Sequence, residues 1–336
     1  MPSFDSQVDV LAALRRLGLA GRSEVPVFGE LTGGVASDIW RVDLETGPVC
    51  VKRALAKLRV DAEWYAPVER NLYEVRWFEV AGEVAPAAVP GVMGRDEAAG
   101  LFVMDYLDPA DHRLWKAELL AGRVDAGVAG EVGERLARIH AGTAGRADVA
   151  VRFPTDAIFH AIRLEPYLEA TAAAHPELAS ALFALSADTA RTKLTLVHGD
   201  VSPKNIQIGP GGPLFLDAEC AWYGDPAFDV AFCLNHLLLK CLVRRDATEA
   251  LLASFDALSK AYLAGVNWEP RPRIDERAAR LLPGLMLARV DGKSPVEYLT
   301  QASDRSTVRN VAKALLRVPP AKLASVRDAW EEAIGS

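Results

Sequence analysis

The feature that most constrains the fold is a change in hydrophobic pattern near Leu107. Before this point, short β-rich runs alternate with turn residues, as antiparallel strands do. After it, apolar residues recur every three or four positions over long stretches, which is the period of amphipathic helices. The sequence therefore predicts an α+β protein with two lobes: a β-rich N-terminal lobe over residues 1–107 and a mainly helical C-terminal lobe over residues 108–336. We expect the chemistry at the lobe boundary, because pockets favour domain interfaces.

The N-terminal lobe is predicted to contain a leading helix, an antiparallel sheet and one further helix. The helices are predicted over residues 9–19 and about 67–80, and the strands over residues 25–28, 39–44, 49–51, 89–93 and 101–106. In the C-terminal lobe, helical spacing covers residues 129–140, 156–173 and 178–191, and helices resume at residue 226 after a small β element within residues 194–217. Ser294-Pro295-Val296-Glu297 has the form of a capping box and predicts a helix start.

Composition argues against two classes of partner. The chain has 336 residues and a net charge of −7, whereas nucleic-acid binding needs a basic surface that displaces counterions from phosphates. An anionic membrane surface is an equally poor match, and the most apolar run, residues 230–243, is too short and too polar to span a bilayer. We therefore expect neither a nucleic-acid nor a membrane partner, and the sequence leaves the oligomeric state open.

The four cysteines predict buried free thiols. Cys50, Cys220, Cys233 and Cys241 lie in apolar stretches, and their spacing matches neither a C-x-x-C pair nor a zinc site. The N-terminal residues have neither the basic region nor the apolar core of a signal peptide. These two observations predict a cytoplasmic protein, because reduced cysteines are typical of that compartment.

The strongest chemical signal is the segment VHGDVSPKNI at residues 197–206, followed after a glycine-rich turn by LFLD at residues 214–217. Asp200, Asn205 and Asp217 form a compact series of oxygen donors. Phosphoryl transfer needs such a series, because one carboxylate orients or deprotonates the attacking hydroxyl while hard oxygen ligands hold Mg²⁺. The protein-kinase signature has the same order of Asp, Asn and a later Asp. His-Gly-Asp alone would also fit an ordinary turn after a strand.

Two longer motifs carry a family resemblance. They are His198-Gly-Asp200-x4-Asn205 and Asp217-x-Glu219-x4-Gly224-Asp225-Pro226-x2-Asp229. These motifs resemble those of the aminoglycoside phosphotransferase and choline kinase superfamily, small-molecule kinases with a bilobal protein-kinase-like fold, and the resemblance covers nearly the whole chain. It implies ATP as phosphoryl donor, Asp200 as catalytic residue, and Asn205 and Asp217 as ligands of Mg²⁺. It also implies that His198 and Asp229 brace the catalytic loop.

The N-terminal lobe is predicted to contact the nucleotide phosphates. Lys52 ends the buried strand Val49-Cys50-Val51-Lys52 and resembles the kinase lysine that contacts the α- and β-phosphates. Its expected ion-pair partner is Glu74, with Glu69 as the alternative, because helical periodicity does not separate the two. A lysine at the end of a strand could otherwise simply reach solvent.

Two other N-terminal segments are assigned to the nucleotide. Gly33 and Gly34 lie between strands before Lys52, where small residues let backbone N–H groups approach phosphates, although a glycine hairpin would look the same. The family resemblance places the adenine against the backbone near Asp105 and Leu107, at the end of the last predicted strand of this lobe.

One branch of the superfamily is most similar in parts of the chain. Residues 51–55, 59–74 and 217–229 are similar to the corresponding regions of methylthioribose kinases. The catalytic loop departs from that branch, because those enzymes tend to lack the asparagine that stands here at Asn205. The predicted substrate is therefore a small molecule with a free hydroxyl, a sugar, amino sugar or amino alcohol, with methylthioribose-like compounds included.

Candidate substrate residues follow the catalytic loop. Glu219 and Asp225 would make the floor of the site acidic, but the main reading of Asp225, which stands before Pro226, is a helix cap. Trp222 and Tyr223 could pack against a sugar ring or belong to the core. Arg289, in a polar stretch, could close over the substrate or belong to a loop entering a helix.

Two other functions fit parts of the sequence. A nucleotide-binding pseudokinase with a regulatory role would keep the fold, but the set of Lys52, Asp200, Asn205 and Asp217 is intact. A protein kinase is a third reading. The path from Asp217 to Pro226 is too short for a peptide-docking segment, and we therefore rank this reading last.

Overall fold

The computed structural model describes residues 4–31, 37–54 and 69–335, and the chain divides into two compact units. The N-terminal unit is Met1–His112 and the C-terminal unit is Arg113–Ser336. None of the helices in the described ranges combines the length and the apolar character that crossing a bilayer requires.

The N-terminal unit is built on a five-stranded antiparallel sheet. Its elements in chain order are α1 (Phe4–Arg16), β1 (Val27–Glu30), β2 (Ser37–Leu44), β3 (Gly47–Ala54), α2 (Glu69–Val84), β4 (Val92–Asp96) and β5 (Leu101–Asp105). The strand order is β1-β2-β3-β5-β4, so β3 lies at the centre and pairs with both β2 and β5. A tight turn at Glu45-Thr46 joins β2 to β3, and Gly47 after it has a φ of 122°, which favours glycine.

Successive side chains of β3 point alternately toward α1 and toward α2. Val49 and Val51 face the core that Val10 and Leu14 of α1 build with the sheet. Cys50 and Lys52 point the other way because successive side chains of a strand alternate. On that face α2 covers the sheet, as shown by the ion pair of Lys52 with a glutamate of α2. Lys52 is therefore 4% exposed, although it carries a charge.

The C-terminal unit is mainly helical. Its helices are α3 (Trp115–Leu120), α4 (Ala126–Thr143), α5 (Ala147–Arg152), α6 (Asp156–Phe159), α7 (Ala170–Ala174), α8 (Ala179–Arg191), α9 (Ala227–Val243), α10 (Thr248–Gly265), α11 (Arg271–Asp291), α12 (Ala302–Arg317) and α13 (Leu323–Gly335). Its strands are β6 (Arg113–Leu114), β7 (Thr195–Val197), β8 (Ile206–Gly209), β9 (Gly212–Phe215) and β10 (Trp222–Gly224). This division into a β-rich N-terminal part and a helical remainder confirms the predicted α+β class.

The small strands hold the segment between residues 195 and 224 against the helices. β7 pairs with β10, while β6, β8 and β9 form a second antiparallel sheet with β8 in the middle. The loop that carries the HGD motif therefore begins at the end of β7 and ends at the start of β8. Both ends of this loop are fixed by strand pairing.

Helix α9 is the centre of the C-terminal unit. Every residue from Ala227 to Leu242 is buried, and a helix that is apolar on all sides belongs inside a protein. It packs against α10 and α11. Three polar residues, Asn235, His236 and Lys240, interrupt its apolar sequence and are nevertheless buried.

Two segments differ from the predicted helices. Residues 156–173, predicted as one helix, form α6, a π-helical segment at His160–Glu169 and α7. Pro166 lies inside the π-helical segment, and because proline has no backbone N–H it cannot continue a regular ladder of helical hydrogen bonds.

The capping box at residues 294–297 does not start a helix, and the next helix is α12. The groups that would cap a helix have other partners. The Ser294 hydroxyl accepts from Arg289 Nη1 at 2.9 Å, the Val296 N–H donates to the Arg289 carbonyl at 2.9 Å, and the Glu297 carboxylate pairs with Lys116.

The close contact between α4 and α10 yields a test of the packing. A Cβ added at Gly133 would lie 2.3 Å from the Leu258 carbonyl oxygen, whereas one added at Gly130 would lie 3.9 Å from the Ala257 Cβ. We expect Gly133→Ala to lower the free energy of unfolding by about 1–3 kcal/mol through overpacking. The control Gly130→Ala should be neutral or stabilise by up to about 1 kcal/mol, because alanine favours a helix. Urea unfolding measures both, and equal effects would contradict the packing described.

Candidate active site

The HGD motif forms a tight turn at the end of β7. Gly199 has a φ of 78°, and a Cβ at this position would lie 2.5 Å from the Cys220 carbonyl oxygen. Only glycine satisfies both constraints, because other residues avoid positive φ and the space is filled by backbone. The turn directs Asp200 away from the strand axis while its backbone stays buried.

Asp229 fixes this turn to helix α9. Its carboxylate accepts the backbone N–H of His198 at 2.7 Å and that of Gly199 at 2.8 Å. His140 Nε2 lies 3.3 Å from the same carboxylate, and Tyr262 OH lies 2.9 Å from His140 Nδ1. The Asp229 side chain is fully buried, so its charge is compensated by these groups rather than by water.

His198 ties the turn to the segment before Asp217. Its Nδ1 accepts the Asp200 N–H at 3.2 Å, and its Nε2 donates to the Leu216 carbonyl at 3.0 Å. These two bonds require the neutral tautomer with the proton on Nε2. Burial lowers the pKa of His198, which agrees with a neutral ring.

The Asp200 carboxylate lies between two cations. Arg163 Nη2 and Lys204 Nζ are each 3.0 Å from Asp200 Oδ2. Burial alone would raise the pKa of Asp200, but the positive charges of Arg163 and Lys204 outweigh it and hold that pKa below its usual range. Asp200 is therefore an ionised carboxylate, although it is only 4% exposed.

Asn205 and Asp217 provide further oxygen donors close to Asp200. Asn205 Nδ2 donates to the Asp200 carbonyl at 3.0 Å, which leaves the amide oxygen to bind a cation. The Leu216 N–H donates to the Asn205 carbonyl at 2.8 Å and thereby holds the chain next to Asp217. Asp217 has a φ of 63°, the one positive φ found outside glycine in the described residues. Such strained residues cluster at functional sites, and this donor set suits a hard divalent cation.

In the N-terminal unit, Lys52 forms a buried ion pair with Glu74. Lys52 Nζ lies 2.7 Å from Glu74 Oε2, and the two side chains are 5% and 1% exposed. Of the two glutamates that the sequence left open, Glu74 is thus a partner of Lys52, and the side chain of Glu69 lies outside those described. Gly33 and Gly34 also lie outside the described residues.

The segment assigned to the adenine begins at the end of β5. The Asp105 N–H donates to the Gly91 carbonyl at 3.0 Å, and the Asp105 carboxylate accepts the Gly91 N–H at 2.7 Å. The backbone N–H of Asp105 is therefore used within the N-terminal unit. The predicted adenine contact with the backbone near Asp105 and Leu107 stays a prediction. Leu107 follows the strand in an irregular, partly buried segment.

The aromatic candidates for substrate contact belong to the core of the C-terminal unit. Trp222 stacks on Phe159 with ring centroids 4.1 Å apart, and its Nε1 donates to Asp156 at 2.8 Å. Tyr223 donates its hydroxyl to the carbonyls of Leu194, at 3.0 Å, and of a residue in α4. Both side chains are more than nine-tenths buried. Lys193 Nζ lies over the Trp222 ring, 4.0 Å from its centroid. The observed contacts of both residues are therefore with other parts of the protein.

Asp225 is the helix cap that the sequence gave as its main reading. Its carboxylate accepts the Ala227 N–H at 3.0 Å and forms a two-pronged ion pair with Arg277, which also pairs with Glu269. Burial raises the pKa of Asp225 despite this partner. Because these contacts occupy the carboxylate, the structure corrects its placement in an acidic substrate floor. Glu219 lies partly buried in the turn between β9 and β10.

Arg289, the remaining substrate candidate, is 9% exposed near the end of α11. Its Nη1 donates to Tyr167 OH at 3.1 Å and to the Ser294 hydroxyl at 2.9 Å. These hydrogen-bond partners are neutral, and the Arg289 guanidinium forms no ion pair with a carboxylate of the described residues.

Sequence reasoning missed two residues that contact Asp200. Lys204 stands four residues after Asp200 within the motif, and this spacing could have suggested the ion pair. Arg163 lies far away along the chain, in the π-helical segment, and no local pattern marks it. It also donates to the Gly199 carbonyl, so it contacts both the turn and the carboxylate.

The cysteines have no place in this chemistry. All four are free and buried, as predicted. Burial raises the pKa of the Cys50 and Cys220 thiols to about 12, and because the thiolate is the reactive form, these thiols are inert.

Comparison with solved structures identifies the fold. A choline/ethanolamine kinase family protein from Mesorhizobium loti matches 96% of this chain and 99% of its own, with a TM-score of 0.53 and 18% identity. Amicoumacin kinase hAmiN, in complex with AMP-PNP, Ca²⁺ and Ami, matches 95% of this chain and 97% of its own, with a TM-score of 0.57 and 13% identity. The predicted bilobal, protein-kinase-like fold class is thereby confirmed.

Comparison of sequences identifies the family. The model of the phosphotransferase enzyme family matches residues 28–271, so this chain belongs to that family. A methylthioribose kinase of Erwinia tasmaniensis is 29% identical over 219 residues, which are 57% of this chain and 54% of that relative. The chain thus spans about half the length of the curated relatives it matches. The predicted resemblance to the superfamily, closest in parts to its methylthioribose kinase branch, is confirmed.

The role of Asp229 can be tested by measuring the free energy of unfolding of two variants. Asp229→Ala would leave the N–H groups of His198 and Gly199 buried without acceptors, and each orphaned donor costs about 1–3 kcal/mol. For the two donors together we expect the free energy of unfolding to fall by about 2–6 kcal/mol. The control Asp246→Ala removes a surface carboxylate that is 67% exposed and should change stability by less than about 0.5 kcal/mol. Chemical unfolding compares them, and similar losses would show that Asp229 does not anchor the turn.

Proposed function

We propose that this protein is an ATP-dependent phosphotransferase that phosphorylates a hydroxyl group of a small molecule. The observation that carries the proposal is the Asp200 carboxylate, which is buried, ionised and held between Arg163 and Lys204. It stands in a loop whose backbone is fixed by Asp229. A buried charge of this kind is costly to keep, and membership of the phosphotransferase enzyme family supplies a chemical reason for keeping it.

Asp200 is proposed to act on the acceptor hydroxyl. Its carboxylate accepts a hydrogen bond from that hydroxyl and orients the oxygen in line with the γ-phosphorus of ATP. As the new O–P bond forms and the bond to the ADP oxygen breaks, the hydroxyl proton passes to Asp200. Arg163 maintains the position of the carboxylate. Lys204, whose side chain is 51% exposed, can pair with the transferred phosphoryl group instead of Asp200 when substrates are bound.

The described residues fit a divalent cation. Asn205 offers its amide oxygen and Asp217 its carboxylate, and both are hard donors that Mg²⁺ prefers. When bound, Mg²⁺ neutralises charge on the phosphates and aligns them. The complex of amicoumacin kinase with AMP-PNP and Ca²⁺ supports the use of a nucleotide and a divalent metal; the choice of Mg²⁺ is part of the proposal.

The N-terminal unit is proposed to bind the rest of the nucleotide. Lys52, held by Glu74, would contact the α- and β-phosphates, and the backbone at Gly33 and Gly34 would approach them as well. Leu107 would offer backbone groups to the adenine. The ion pair keeps the lysine side chain extended, so less of its conformational freedom is lost on binding.

The acceptor is proposed to be a hydroxyl compound of sugar size. The methylthioribose kinases among the relatives support this size class, and Glu219 remains a candidate contact. Trp222, Tyr223 and Asp225 are not proposed as contacts because their observed partners belong to the protein core.

Loss of Asp200 tests the proposed chemistry. We expect Asp200→Asn to fold and to lose about 10²- to 10⁴-fold in turnover, the range typical of a general acid–base group. The control Asp188→Asn changes a surface carboxylate in α8 that is 42% exposed and should keep full activity. A coupled assay of ADP release measures both, with methylthioribose, free sugars, amino sugars, choline and homoserine as acceptors. Full activity of a folded Asp200→Asn protein would contradict the assignment.

The Lys52–Glu74 pair can be tested separately for stability and activity. Lys52→Met should destabilise the protein by about 3–5 kcal/mol, because it leaves a buried carboxylate without its cation. The double variant Lys52→Met/Glu74→Leu should regain most of this loss. Both should lose about 10- to 100-fold in kcat/KM for ATP, the equivalent of one charge-assisted hydrogen bond. If the double variant regains activity together with stability, Lys52 has a structural role only.

A further inference from the structure

Three basic side chains meet inside the C-terminal unit, away from the residues assigned so far to catalysis. His236 and Lys240 lie one turn apart on α9, and Arg289 lies near the end of α11. They are 6%, 1% and 9% exposed, respectively. We call them the basic cluster.

No carboxylate of the described chain forms an ion pair with Lys240 or Arg289. The contacts of Lys240 are the His236 carbonyl at 3.5 Å and the face of the Tyr298 ring, whose centroid is 4.8 Å away. Arg289 contacts hydroxyl and carbonyl groups of Tyr167 and Ser294. Two nitrogens of the cluster, Arg289 Nε and His236 Nε2, are buried in the described structure and have no hydrogen-bond partner there.

The neighbouring cations, by contrast, are paired. Lys116 pairs with Glu297, and Lys204 with Asp200. Proteins rarely bury a charge without a partner, because the desolvation of an ion is not recovered by neutral contacts. The one carboxylate of the described residues that acts electrostatically on Lys240 and Arg289 is Glu297, and it forms its ion pair with Lys116. The positive charges in and beside the cluster therefore outnumber the negative charge available to them.

The electrostatics of the cluster agree with this geometry. Burial, followed by the positive charge of Lys116, lowers the pKa of Lys240 to about 7. Burial and the charges of Lys240 and Arg289 hold the pKa of His236 well below its usual value. A bound anion would reverse these shifts by favouring the protonated forms.

The basic cluster is one aromatic ring away from the catalytic carboxylate. The Arg289 guanidinium lies over the Tyr167 ring, 5.6 Å from its centroid, and the Arg163 guanidinium lies 5.8 Å from the same centroid. Arg163 in turn pairs with Asp200. A group bound at Arg289 and a hydroxyl at Asp200 are thus separated by the span of a small molecule.

We propose that the basic cluster binds an oxyanion of the acceptor, so that the substrate of this phosphotransferase is a hydroxyl compound that also carries a carboxylate or a phosphate. This inference rests on the proposed function for the hydroxyl and on the cluster itself for the anion. It excludes amine-bearing acceptors at this position, because a second cation would add to the charge that is already unpaired.

The geometry of the three side chains suits an oxyanion. A guanidinium presents several N–H donors in one plane, which match the oxygens of a carboxylate or phosphate, and an ammonium adds a compact charge. Ser294 and Tyr298, both partly exposed, cover the cluster with the irregular segment between α11 and α12. An entering oxyanion would replace the neutral contact of Ser294 with Arg289.

Anion binding is tested first without nucleotide or acceptor. The dissociation constants of inorganic phosphate and of acetate are measured by calorimetry at constant ionic strength, so that the two probes distinguish phosphate from carboxylate recognition. We expect Lys240→Met and Arg289→Met to weaken the preferred probe at least tenfold. The control Lys313→Met removes a surface lysine that pairs with Glu177 and should leave the affinity unchanged. Equal affinities in wild type and Lys240→Met would overturn the inference.

A thermal measurement guards against a folding artefact. Without an anion, Lys240→Met should melt at a higher temperature than the wild type, because an unpaired buried cation has been replaced by an apolar side chain of similar length. Added phosphate should then raise the melting temperature of the wild type more than that of the variant. A variant that melts lower and binds phosphate normally would show that Lys240 is structural.

Turnover distinguishes the inference from the proposed function. The rates of ADP release with ribose, ribonate and ribose 5-phosphate as acceptors are compared. We expect kcat/KM for one of the two charged compounds to exceed that for ribose at least tenfold. Lys240→Met should remove this difference. Asp200→Asn should lower turnover by about 10²- to 10⁴-fold and keep phosphate binding. If no acceptor is turned over but phosphate binds and Lys240→Met weakens that binding, the result contradicts the kinase activity and supports the anion site. A preference for ribose over both charged compounds would overturn the inference.

Discussion

The C-terminal unit depends on the two hydrogen bonds that the Asp229 carboxylate accepts from the turn at residues 198–200. Asp229 lies in the first turn of α9, the helix buried on all sides, and its carboxylate accepts the backbone N–H groups of His198 and Gly199. Because α9 cannot move without disturbing the core, the turn acquires the rigidity of that helix. Asp225, a few residues earlier, pairs with Arg277 of α11 and anchors the same end of α9 to a second helix. The position of the Asp200 backbone is therefore set by the packing of helices, and its side chain is held by Arg163 and Lys204.

The buried charges of this unit fall into two groups with different explanations. Asp229, Asp225 and Asp200 each have cations or several N–H donors as partners, so the desolvation of each carboxylate is largely offset. Lys240 and Arg289 have only neutral groups as hydrogen-bond partners, and the nearby Glu297 forms its ion pair with Lys116. Stability does not explain the second group, because an apolar residue of the same length would be more favourable there. A protein that retains such residues gives up stability for a function. Arg289 and Arg163 both lie over the Tyr167 ring, and this proximity relates the function that we propose for Lys240 and Arg289 to the turn that carries Asp200.

Sequence reasoning predicted the parts of the molecule that depend on local pattern. The apolar run before Lys52 predicted a buried strand, and the spacing from Asp200 to Asn205 and Asp217 indicated three oxygen donors in one short segment. Arg163 could not be found in this way, because its contact is with a turn formed much later in the chain. His140 ends the helix predicted over residues 129–140, but its contact with Asp229 depends on how α4 packs against α9. The helix start predicted at residues 294–297 was wrong for a related reason. The polar groups of this segment bind Arg289 and Lys116, and these tertiary contacts outweigh the local preference for a helix start.

The charge state of Asp200 constrains the role that we propose for it in phosphoryl transfer. Arg163 and Lys204 lower its pKa, and a carboxylate with a low pKa is a weak base. Removal of the hydroxyl proton before the new O–P bond forms would therefore be unfavourable. In a loose transition state the attacking oxygen becomes acidic only as bonding to phosphorus develops, so a weak base is sufficient at that stage. The same two cations that weaken Asp200 as a base hold it in one orientation. In the proposed mechanism, the two cations thus favour alignment of the acceptor hydroxyl over base strength of Asp200. This agrees with the backbone of the turn at residues 198–200, which Asp229 holds in place.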